Sequence, residues 1–374
     1  MPGRFVDGLD ARRTFVPDPL PPELPLNPPL VNKLSEVSNL LGRLEGTART
    51  LPDPQILIRS FVRREAQLSS YIENTYARYE EVAEAEAAPE SPVPEQVRET
   101  LNAERSILQG LEAVRQGRPV NNTLLRQLHS TLLDQVRGQE SRGRYRTLQV
   151  YIGKRDLGIE HARFVPPPPH LLDELMEQFQ AFCLNPGDMQ PLLALGLQHY
   201  QFEAIHPFED GNGRLGRTLI LLGLCGQGLL SFPVVNPSIY FERNRSRYYD
   251  ALLRVSTHRD WLGWLTFFLE GLSVAARESE EKLRELLDLQ RRYHEAIRTA
   301  RNSALLLTII DHLFILPLVT IPSVAKLVGV TYPAAKNSVT KLVDMNILEP
   351  LEGTSPARFV ARTILNALNA QPSR

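Results

Sequence analysis

One run of twelve residues constrains the fold of this chain more than any other. Residues 206–217 read His-Pro-Phe-Glu-Asp-Gly-Asn-Gly-Arg-Leu-Gly-Arg, and apolar segments flank them on both sides. Upstream, Leu192 to Ile205 carries its apolar residues at helical spacing, and the proline at 207 disfavours helical geometry at the residue before it. Downstream, Leu215 to Leu230 is almost wholly apolar, which predicts a second, buried helix. The polar run is therefore predicted to be a tight turn between two helices.

The middle and end of this run carry groups that bind anions. Gly211 and Gly213 tolerate positive φ, so they can turn successive N–H groups inward. The dipole of the following helix adds positive potential at the same point. Arg214 and Arg217 are three residues apart, so both can lie on one helix face and bind phosphate oxygens. The turn is a candidate phosphate site.

The same run carries a candidate metal ligand and a candidate base. A single carboxylate such as Asp210, completed by waters and substrate phosphates, is a common way to hold Mg²⁺. His206 is suited to taking a proton from an attacking hydroxyl near neutral pH. Phe208, between the polar groups, is most simply a core anchor for the loop. Together these residue types favour a site that breaks a phosphoanhydride.

The run also resembles the signature of the Fic family, His-Pro-Phe-x-(Asp/Glu)-Gly-Asn-Gly-Arg-x-x-Arg, at every defined position. Residues 143–153 and 162–169 are similar to the family's flap, and residues 240–249 to its region beside the nucleotide base. The resemblance implies a mainly α fold, with a Fic-type helical core and a β-hairpin flap. It also implies transfer of AMP from ATP to a hydroxyl side chain of a target protein, with release of pyrophosphate.

The resemblance implies a role for each residue of the run. His206 would be the general base, Asp210 would hold Mg²⁺, and Arg217 would hold the γ-phosphate of ATP. Two tyrosines of the later segment would lie near the adenine or ribose. The candidate ATP-binding residues are Asp210, Gly211, Asn212, Gly213, Arg214, Leu215, Gly216, Arg217, Tyr248, Tyr249 and Glu73.

A second motif lies far upstream of the first. Residues 69–74, Ser-Ser-Tyr-Ile-Glu-Asn, resemble the family's inhibitory motif (Ser/Thr)-x-x-x-Glu-(Gly/Asn). Apolar spacing predicts a helix over 56–84, on which Ser69 and Glu73 share one face. The resemblance implies that Ser69, Glu73 and Asn74 are inhibitory, with Glu73 pairing with Arg217 in place of the γ-phosphate. The alternative is an ordinary solvated glutamate on an acidic helix.

A flap is predicted between the two motifs. Residues 148–152 are β-prone and bounded by Gly143 and Gly153, which favours a strand or hairpin edge. An exposed edge can take up an extended target segment by β-augmentation. The four prolines at 166–169 favour a stiff polyproline II exit. The candidate target-docking residues are Gln149, Val150, Tyr151, Ile152 and Gly153.

Proline clusters and changes in composition divide the chain. The many prolines of residues 1–30 predict an extended segment over the surface that is not a folded unit. Helical patterns recur over 95–117, 121–136, 171–184 and 247–270. The predicted units are 1–30, an extended segment; 31–94, helices including the inhibitory helix; 95–271, the Fic-type core; 272–302, a charged linker helix; and 303–374, a C-terminal domain.

The C-terminal domain is predicted to be a winged helix-turn-helix. Residues 321–330 and 332–345 read as two helices, and 347–360 as two short strands around Glu352-Gly353. Lys336, Asn337, Thr340 and Lys341 could face DNA, but this basic patch is modest. A protein-interaction or dimerisation module is favoured over DNA binding, and a homodimer stays open.

Composition excludes several classes of protein. The 42 basic and 43 acidic residues give a net charge of −1, so no general affinity for polyanions is implied. The two cysteines suggest neither a disulfide framework nor a zinc site. No signal peptide or membrane-length apolar run is recognisable, so a cytoplasmic protein without a membrane partner is expected.

Three functional classes are open. The favoured class is an autoinhibited protein adenylyltransferase, with ATP, Mg²⁺ and a target Ser, Thr or Tyr hydroxyl as its partners. The second is a Fic-type transferase of another group, such as UMP or phosphocholine; the branch that transfers phosphate typically has lysine where Gly213 stands. The third is a winged-helix regulator whose Fic-like core senses nucleotide. Removal of AMP by the same site is also conceivable.

Overall fold

The computed structural model describes residues 2–7, 13–24, 26–50, 54–87, 92–153, 158–298, 303–351 and 357–369, and the chain is mainly helical there. The helices are α1 Pro28–Arg49, α2 Pro54–Ile72, α3 Tyr79–Ala87, α4 Glu95–Arg115, α5 Asn122–Leu132, α6 Leu172–Leu184, α7 Pro191–Ile205, α8 Asn212–Gly226, α9 Ser238–Arg243, α10 Arg245–His258, α11 Trp261–Ile297, α12 Ser303–Ile315, α13 Ile321–Val328, α14 Tyr332–Asp344 and α15 Arg362–Asn369. The strands are β1 Gly3–Asp7, β2 Arg13–Pro17, β3 Leu318–Thr320, β4 Glu349–Leu351 and β5 Arg358–Val360. Within these ranges no helix is both long enough and apolar enough to cross a membrane.

Helices α7 and α8 form the centre of the core. Nearly every residue of α7 is buried, and α8 packs against both α7 and α4. The two helices approach closely because Gly223 has no side chain: a Cβ there would lie 2.1 Å from Leu195 Cδ2. The Trp264 indole of α11 donates a hydrogen bond to the Gly196 carbonyl of α7 at 2.8 Å. The polar run therefore joins two helices that the core holds in place.

Residues 56–84 form two helices, whereas the sequence predicts one. Helix α2 ends at Ile72, because Asn74 adopts the left-handed conformation with φ of 62°. The Thr75 N–H then donates to the Ser70 carbonyl at 3.0 Å, which closes the last turn. Helix α3 begins four residues later, at Tyr79. The helical pattern continues across the break, so periodicity alone does not reveal it.

A buried ion network ties α2 and α3 to α4. Arg63 of α2 is fully buried, and its Nε donates to Glu104 Oε2 of α4 at 2.8 Å. The same guanidinium also pairs with Glu86 of α3. Both helices around the predicted inhibitory motif are thereby fixed against the core.

The N-terminal segment differs from its prediction, because β1 and β2 pair as an antiparallel hairpin. Phe15 and Val16 of β2 are buried in the main core. The Phe15 N–H also donates to the Val165 carbonyl at the exit of the predicted flap, at 2.9 Å. The sequence does not reveal this hairpin because its short β-prone strands lie among prolines and are stabilised by contacts with distant residues such as Val165. Residues 8–12 lie outside the described residues.

The predicted boundary at residue 272 also differs from the structure. Helix α11 runs unbroken from Trp261 to Ile297, and the break falls earlier, where Arg259 is left-handed with φ of 61°. The Asp260 side chain caps α11 by accepting from the Gly263 N–H at 2.9 Å. The later half of α11 buries a leucine row in the core and is not a free linker. The row is Leu283, Leu286 and Leu289.

The C-terminal residues form a small unit with a three-stranded antiparallel sheet in the order β3-β5-β4. The element order, α12-β3-α13-α14-β4-β5, agrees with a winged helix-turn-helix, whose assignment stays a prediction. The predicted turn at Glu352-Gly353 lies outside the described residues. The unit packs on α2 and α3: Ser60 of α2 donates to the Phe314 carbonyl, and Arg358 pairs with Glu84 of α3 at 2.9 Å.

Candidate functional site

The polar run lies at the joint between α7 and α8. Helix α7 ends at Ile205, and His206 caps it in the left-handed conformation with φ of 50°. The Asn212 side chain accepts from the Phe208 N–H at 2.9 Å and donates to the Phe208 carbonyl at 2.8 Å. The Phe208 ring is fully buried and anchors the turn. The Asn212 amide therefore holds the loop together and does not point at a ligand.

Helix α8 begins inside the run, at Asn212, and not near Leu215 as the sequence predicts. Gly211 has a φ of 80°, whereas Gly213 lies in the first turn of α8. The left-handed turn therefore needs one glycine and not two. Gly213 meets a different requirement, since a Cβ there would lie 2.2 Å from Glu73 Oε1. The first N–H groups of α8 have no acceptors within the helix, so its N-terminus is suited to an anion.

His206 is neutral in this environment. Burial, together with the nearby Arg146 guanidinium, lowers the pKa of His206 to about 4. The imidazole is therefore unprotonated at neutral pH and has a lone pair that can accept a proton. Its Nδ1 is buried and has no hydrogen-bond partner among the described residues.

Arg146 ties His206 to the predicted flap. Its buried guanidinium donates to the His206 carbonyl from Nε at 2.9 Å. The other two nitrogens donate to the Leu148 carbonyl at 3.2 Å and to the Pro167 carbonyl at 2.6 Å. One side chain thus fixes the candidate base to both ends of the flap. The sequence includes Arg146 in the flap resemblance but does not single it out.

His129 supports the same turn from α5. Its Nδ1 accepts from the Gly143 N–H at 2.9 Å, so the proton of the neutral ring lies on Nε2, which faces the Asp210 carbonyl at 2.9 Å. The ring stacks on Phe208 with centroids 3.7 Å apart. Burial lowers the pKa of His129 to about 4, which keeps it neutral. The sequence does not indicate this residue, because one histidine on an amphipathic helix has no distinctive pattern.

Arg217 is bound by the upstream motif. Its guanidinium is 1% exposed, and Nη2 donates to Glu73 Oε1 at 2.8 Å. Nε donates to Ser69 Oγ at 2.9 Å, and Nη2 also donates to the Ser69 carbonyl at 2.8 Å. Ser69 belongs to α2, whereas Glu73 lies in the turn just after it, so the two do not share a helix face as predicted. They nevertheless converge on one guanidinium.

Arg214 has a carboxylate partner of its own. Its Nη1 donates to Glu99 Oε2 of α4 at 2.6 Å, and both side chains are largely buried. The same Glu99 oxygen accepts from Thr75 Oγ1 at 3.1 Å. Arg214 Nη2 lies 3.7 Å from Asp210 Oδ1. Arg214 is thus held between α4 and the loop. No motif in the sequence points to Glu99.

Asp210 lies at the more open side of the loop and remains ionised. Its Oδ1 accepts from the Gly211 N–H at 2.7 Å, and its Oδ2 pairs with Arg137 Nη2 at 3.0 Å. Burial alone would raise the pKa of Asp210, but Arg214, the Gly211 N–H and Arg137 outweigh it and lower the pKa. The described residues contain no group of three or more His, Cys, Asp or Glu side chains suited to a metal ion. A single carboxylate beside an anion site does fit Mg²⁺ that is shared with substrate phosphates.

Three predicted ATP-binding residues are buried in the core, and their contact with ATP stays a prediction. Tyr248 is fully buried, and its hydroxyl lies 2.7 Å from His199 Nε2. His199 Nδ1 lies 3.0 Å from the Gly216 carbonyl, so Nδ1 carries the proton and Nε2 accepts from the tyrosine. Leu215 is also fully buried. Periodicity does not show that Tyr248, Leu215 and Gly216 are buried, because both of their helices are buried on several faces.

Tyr249 is partly exposed beside the inhibitory motif. The guanidinium carbons of Arg163 and Arg245 each lie 5.8 Å from the centre of its ring. Its hydroxyl points towards the Ile72 carbonyl at 3.4 Å. The structure therefore places Tyr249, and not Tyr248, at the rim of the site.

The flap forms less regular structure than the sequence predicts. Among the described residues of the flap, an antiparallel bridge joins Ile152 to Phe164, and residues 149–151 form no strand. The Gln149 side chain donates to the Pro166 carbonyl at 2.9 Å, while the prolines that follow lack N–H donors for a ladder. Gln149, Val150, Tyr151 and Ile152 are partly exposed and Gly153 is exposed. Residues 154–157 lie outside the described residues.

Two models of known families match this chain and together span just over half of it. The model described as Fic/DOC family N-terminal matches residues 31–112, and the model described as Fic/DOC family matches residues 119–224. The chain belongs to the Fic family. The first match contains the Glu73 segment of this Fic protein, and the second contains the whole run from His206 to Arg217.

Curated relatives of this Fic protein carry the name protein adenylyltransferase. It is 36% identical to a probable protein adenylyltransferase of Aquifex aeolicus over 99 residues, which are 26% of this chain and 28% of that protein. It is 33% identical to protein adenylyltransferase Fic of Nematostella vectensis over 145 residues, which are 36% of this chain and 30% of that protein. The chain thus spans less than a third of either relative's length.

Solved structures show the same fold at low sequence identity. A Fic family protein from Desulfovibrio desulfuricans matches 95% of this chain and 100% of its own with a TM-score of 0.60 and 23% identity. Fic-1 from C. elegans matches 70% of this chain and 73% of its own with a TM-score of 0.50 and 18% identity.

Proposed function

We propose that this Fic protein is an autoinhibited protein adenylyltransferase. It transfers AMP from ATP to a Ser, Thr or Tyr hydroxyl of a target protein and releases pyrophosphate. The observation that carries the proposal is the pairing of Arg217 with Glu73, within the loop that also holds a neutral His206. The names of the relatives support AMP as the group transferred.

The geometry of the loop supports the following transfer step. The target's hydroxyl oxygen attacks the α-phosphorus of ATP, and the His206 imidazole accepts the hydroxyl proton. The bond from the α-phosphorus to the bridging oxygen breaks, and pyrophosphate leaves. The free N–H groups at the start of α8 and the cationic Arg214 stabilise the negative charge on the phosphates. The flap, which Arg146 joins to His206, holds the target segment in extended form.

Asp210 is the residue that would hold Mg²⁺ against the phosphates. Its carboxylate is ionised and 24% exposed, beside the N-terminus of α8. When bound, the metal ion neutralises phosphate charge. Arg137, which now pairs with the carboxylate, is 63% exposed and can swing into solvent to make room.

Glu73 restrains the enzyme by occupying Arg217. A γ-phosphate that needs this guanidinium must displace a carboxylate already 2.8 Å from it. ATP then binds weakly, or with its α-phosphate misaligned for attack. Gly213 is part of this restraint, because any side chain there would collide with Glu73.

The test is incorporation of label from α-³²P-ATP with Mg²⁺ into the protein itself and into a lysate. Wild type, Glu73→Gly and His206→Ala are compared, with γ-³²P-ATP and α-³²P-UTP as control substrates. We expect weak labelling by wild type, stronger labelling by Glu73→Gly and none by His206→Ala. With the purified protein alone, no label is expected from γ-³²P-ATP, because the γ-phosphate leaves within pyrophosphate.

Three outcomes would contradict the proposal. Equal labelling by all three proteins would exclude both the base and the restraint. Label from γ-³²P-ATP alone would indicate phosphate transfer. Incorporation from UTP without incorporation from ATP would indicate a different nucleotide as the donor.

A further inference from the structure

Three successive residues, Glu73, Asn74 and Thr75, form a turn after α2, here called the inhibitory turn. Each contacts a different helix through its side chain. Glu73 pairs with Arg217 of α8, Asn74 Oδ1 accepts from Arg245 Nη1 of α10 at 2.6 Å, and Thr75 Oγ1 donates to Glu99 Oε2 of α4 at 3.1 Å. The last two contacts lie outside the nucleotide loop.

We propose that Arg245 and Glu99 are positioning residues for the inhibitory turn. Glu73 remains paired with Arg217 only while Arg245 binds Asn74 and Glu99 binds Thr75. This inference rests on the proposed function, since it concerns the regulation of the same site.

The position of Glu73 explains why the turn needs support. Helix α2 ends at Ile72, so Glu73 is not held by a continuing helix. Its side chain is 33% exposed, so water competes with the Arg217 guanidinium for the carboxylate. The backbone of the turn contributes three hydrogen bonds, from the Glu73 and Thr75 N–H groups to the Ser70 carbonyl and from the Asn74 N–H group to the Tyr71 carbonyl. Further contacts must limit the freedom of the turn.

Asn74 contributes both a backbone conformation and an acceptor. Its φ of 62° is one that glycine adopts at no cost and asparagine tolerates. Glycine would lack the Oδ1 atom that Arg245 binds. Arg245 is itself held in place, with its guanidinium carbon 5.8 Å from the centre of the Tyr249 ring. The side chain of Asn74 is therefore the part that closes the turn onto α10.

Glu99 joins the turn to the other arginine of the loop. One oxygen, Oε2, accepts from both Thr75 Oγ1 and Arg214 Nη1. The inhibitory turn is thus connected to Arg217 directly and to Arg214 through Glu99. A change at either arginine reaches the turn.

The test uses variants that remove one contact and preserve the backbone. Asn74→Gly keeps the left-handed turn without the acceptor, Arg245→Gln shortens the donor, and Thr75→Val replaces the hydroxyl with a methyl group. Each is made in wild type and in Glu73→Gly. Arg78→Gln, which removes an exposed arginine just after the turn, is the control. The readouts are AMP incorporation and hydrogen exchange at the Thr75 amide.

Each variant is expected to raise AMP incorporation roughly three- to tenfold when Glu73 is present, the size of one hydrogen bond. Exchange at the Thr75 amide should rise by a similar factor. In Glu73→Gly the same variants should change incorporation less than about twofold, because the positioned group is already gone. Arg78→Gln should match wild type in both readouts.

Unchanged incorporation and exchange in the three variants, alongside activation by Glu73→Gly, would overturn the positioning role and leave the proposed function intact. An increase of equal size in the Glu73→Gly background would also overturn it, because the variants would then act on nucleotide binding. If Glu73→Gly itself fails to activate, the proposed restraint is wrong, and the exchange measurement alone decides the role of Arg245 and Glu99.

Discussion

Glu73 and Arg217 are 144 residues apart in the sequence, and Glu73 Oε1 lies 2.8 Å from Arg217 Nη2. Arg217 is 1% exposed, whereas Glu73 is 33% exposed. A buried guanidinium is therefore neutralised by a carboxylate that water can reach. Removing the partner of a buried charge is costly unless another anion replaces it. In the proposed enzyme, that anion is the γ-phosphate of ATP.

Asp210 and Arg137 should control the Mg²⁺ requirement in opposite directions. Asp210→Asn removes the proposed metal ligand, so the Mg²⁺ concentration for half-maximal AMP incorporation should rise roughly tenfold or more. Arg137→Gln removes the cation now paired with Asp210, so this concentration should fall. A titration of Mg²⁺ in the Glu73→Gly background measures both. Asp188→Asn, on the surface, is the control, and equal Mg²⁺ curves for all variants would contradict the metal assignment.

Glu203 should make the protein less stable as the pH rises. Its Oε1 is buried without a hydrogen-bond partner among the described residues, and burial raises the pKa of Glu203 to about 8. In the unfolded chain a glutamate ionises near pH 4.3, so above that pH the folded state binds one more proton. The free energy of unfolding therefore falls as the pH rises towards 8, by at most about 1.4 kcal/mol per unit.

Glu203→Gln removes this titration. Its stability advantage over wild type should grow between pH 5 and pH 8 and then level off. Urea denaturation at pH 5, 6, 7 and 8 measures the difference. Glu177→Gln, on an exposed face of α6, should show no such trend. A difference between Glu203→Gln and wild type that is constant with pH would show that Glu203 is ionised in the folded protein.

His129 should stabilise both the loop and the flap. His129→Phe keeps the stacking on Phe208 but leaves the Gly143 N–H and the Asp210 carbonyl without their present partner. Unfolding should become easier by about 1–3 kcal/mol, the usual cost of unsatisfied buried polar groups. Chemical denaturation measures this, with the exposed His170→Phe as the control. Equal stability of both variants would contradict the account of His129.

The sequence predicts features of this site that depend on neighbouring residues better than contacts between residues far apart in the chain. The helix end at His206 and the apolar helices on both sides follow from proline and from residue spacing, which act over a few residues. The meeting of Glu73 with Arg217 follows only from the resemblance to a family motif. Residue spacing and turn signals act over a few residues, so they cannot relate two residues that lie 144 positions apart.

The contacts that the sequence does not predict come from distant elements. His129, Glu99 and Arg245 reach the site from three helices, and none belongs to the polar run. The β1–β2 hairpin depends on contact with Val165 and on burial of Phe15 against the core. Tyr248 is buried because α10 packs against α7 and α11. The spacing of apolar residues in α10 does not reveal this packing. Tertiary packing determines each of these contacts, the hairpin and the burial of Tyr248.

Under the proposed restraint, Glu73 competes with the γ-phosphate of ATP for Arg217. This competition is measured by isothermal titration of ATP and of ADP, each with Mg²⁺. The two proteins compared are His206→Ala and the Glu73→Gly/His206→Ala double variant, because the His206→Ala change prevents turnover. The Kd for ATP should fall at least about tenfold on removal of Glu73, the size of one charged hydrogen bond. The Kd for ADP, which lacks the γ-phosphate, should change less than about threefold. Equal changes for both nucleotides, or no change for ATP, would contradict the claim.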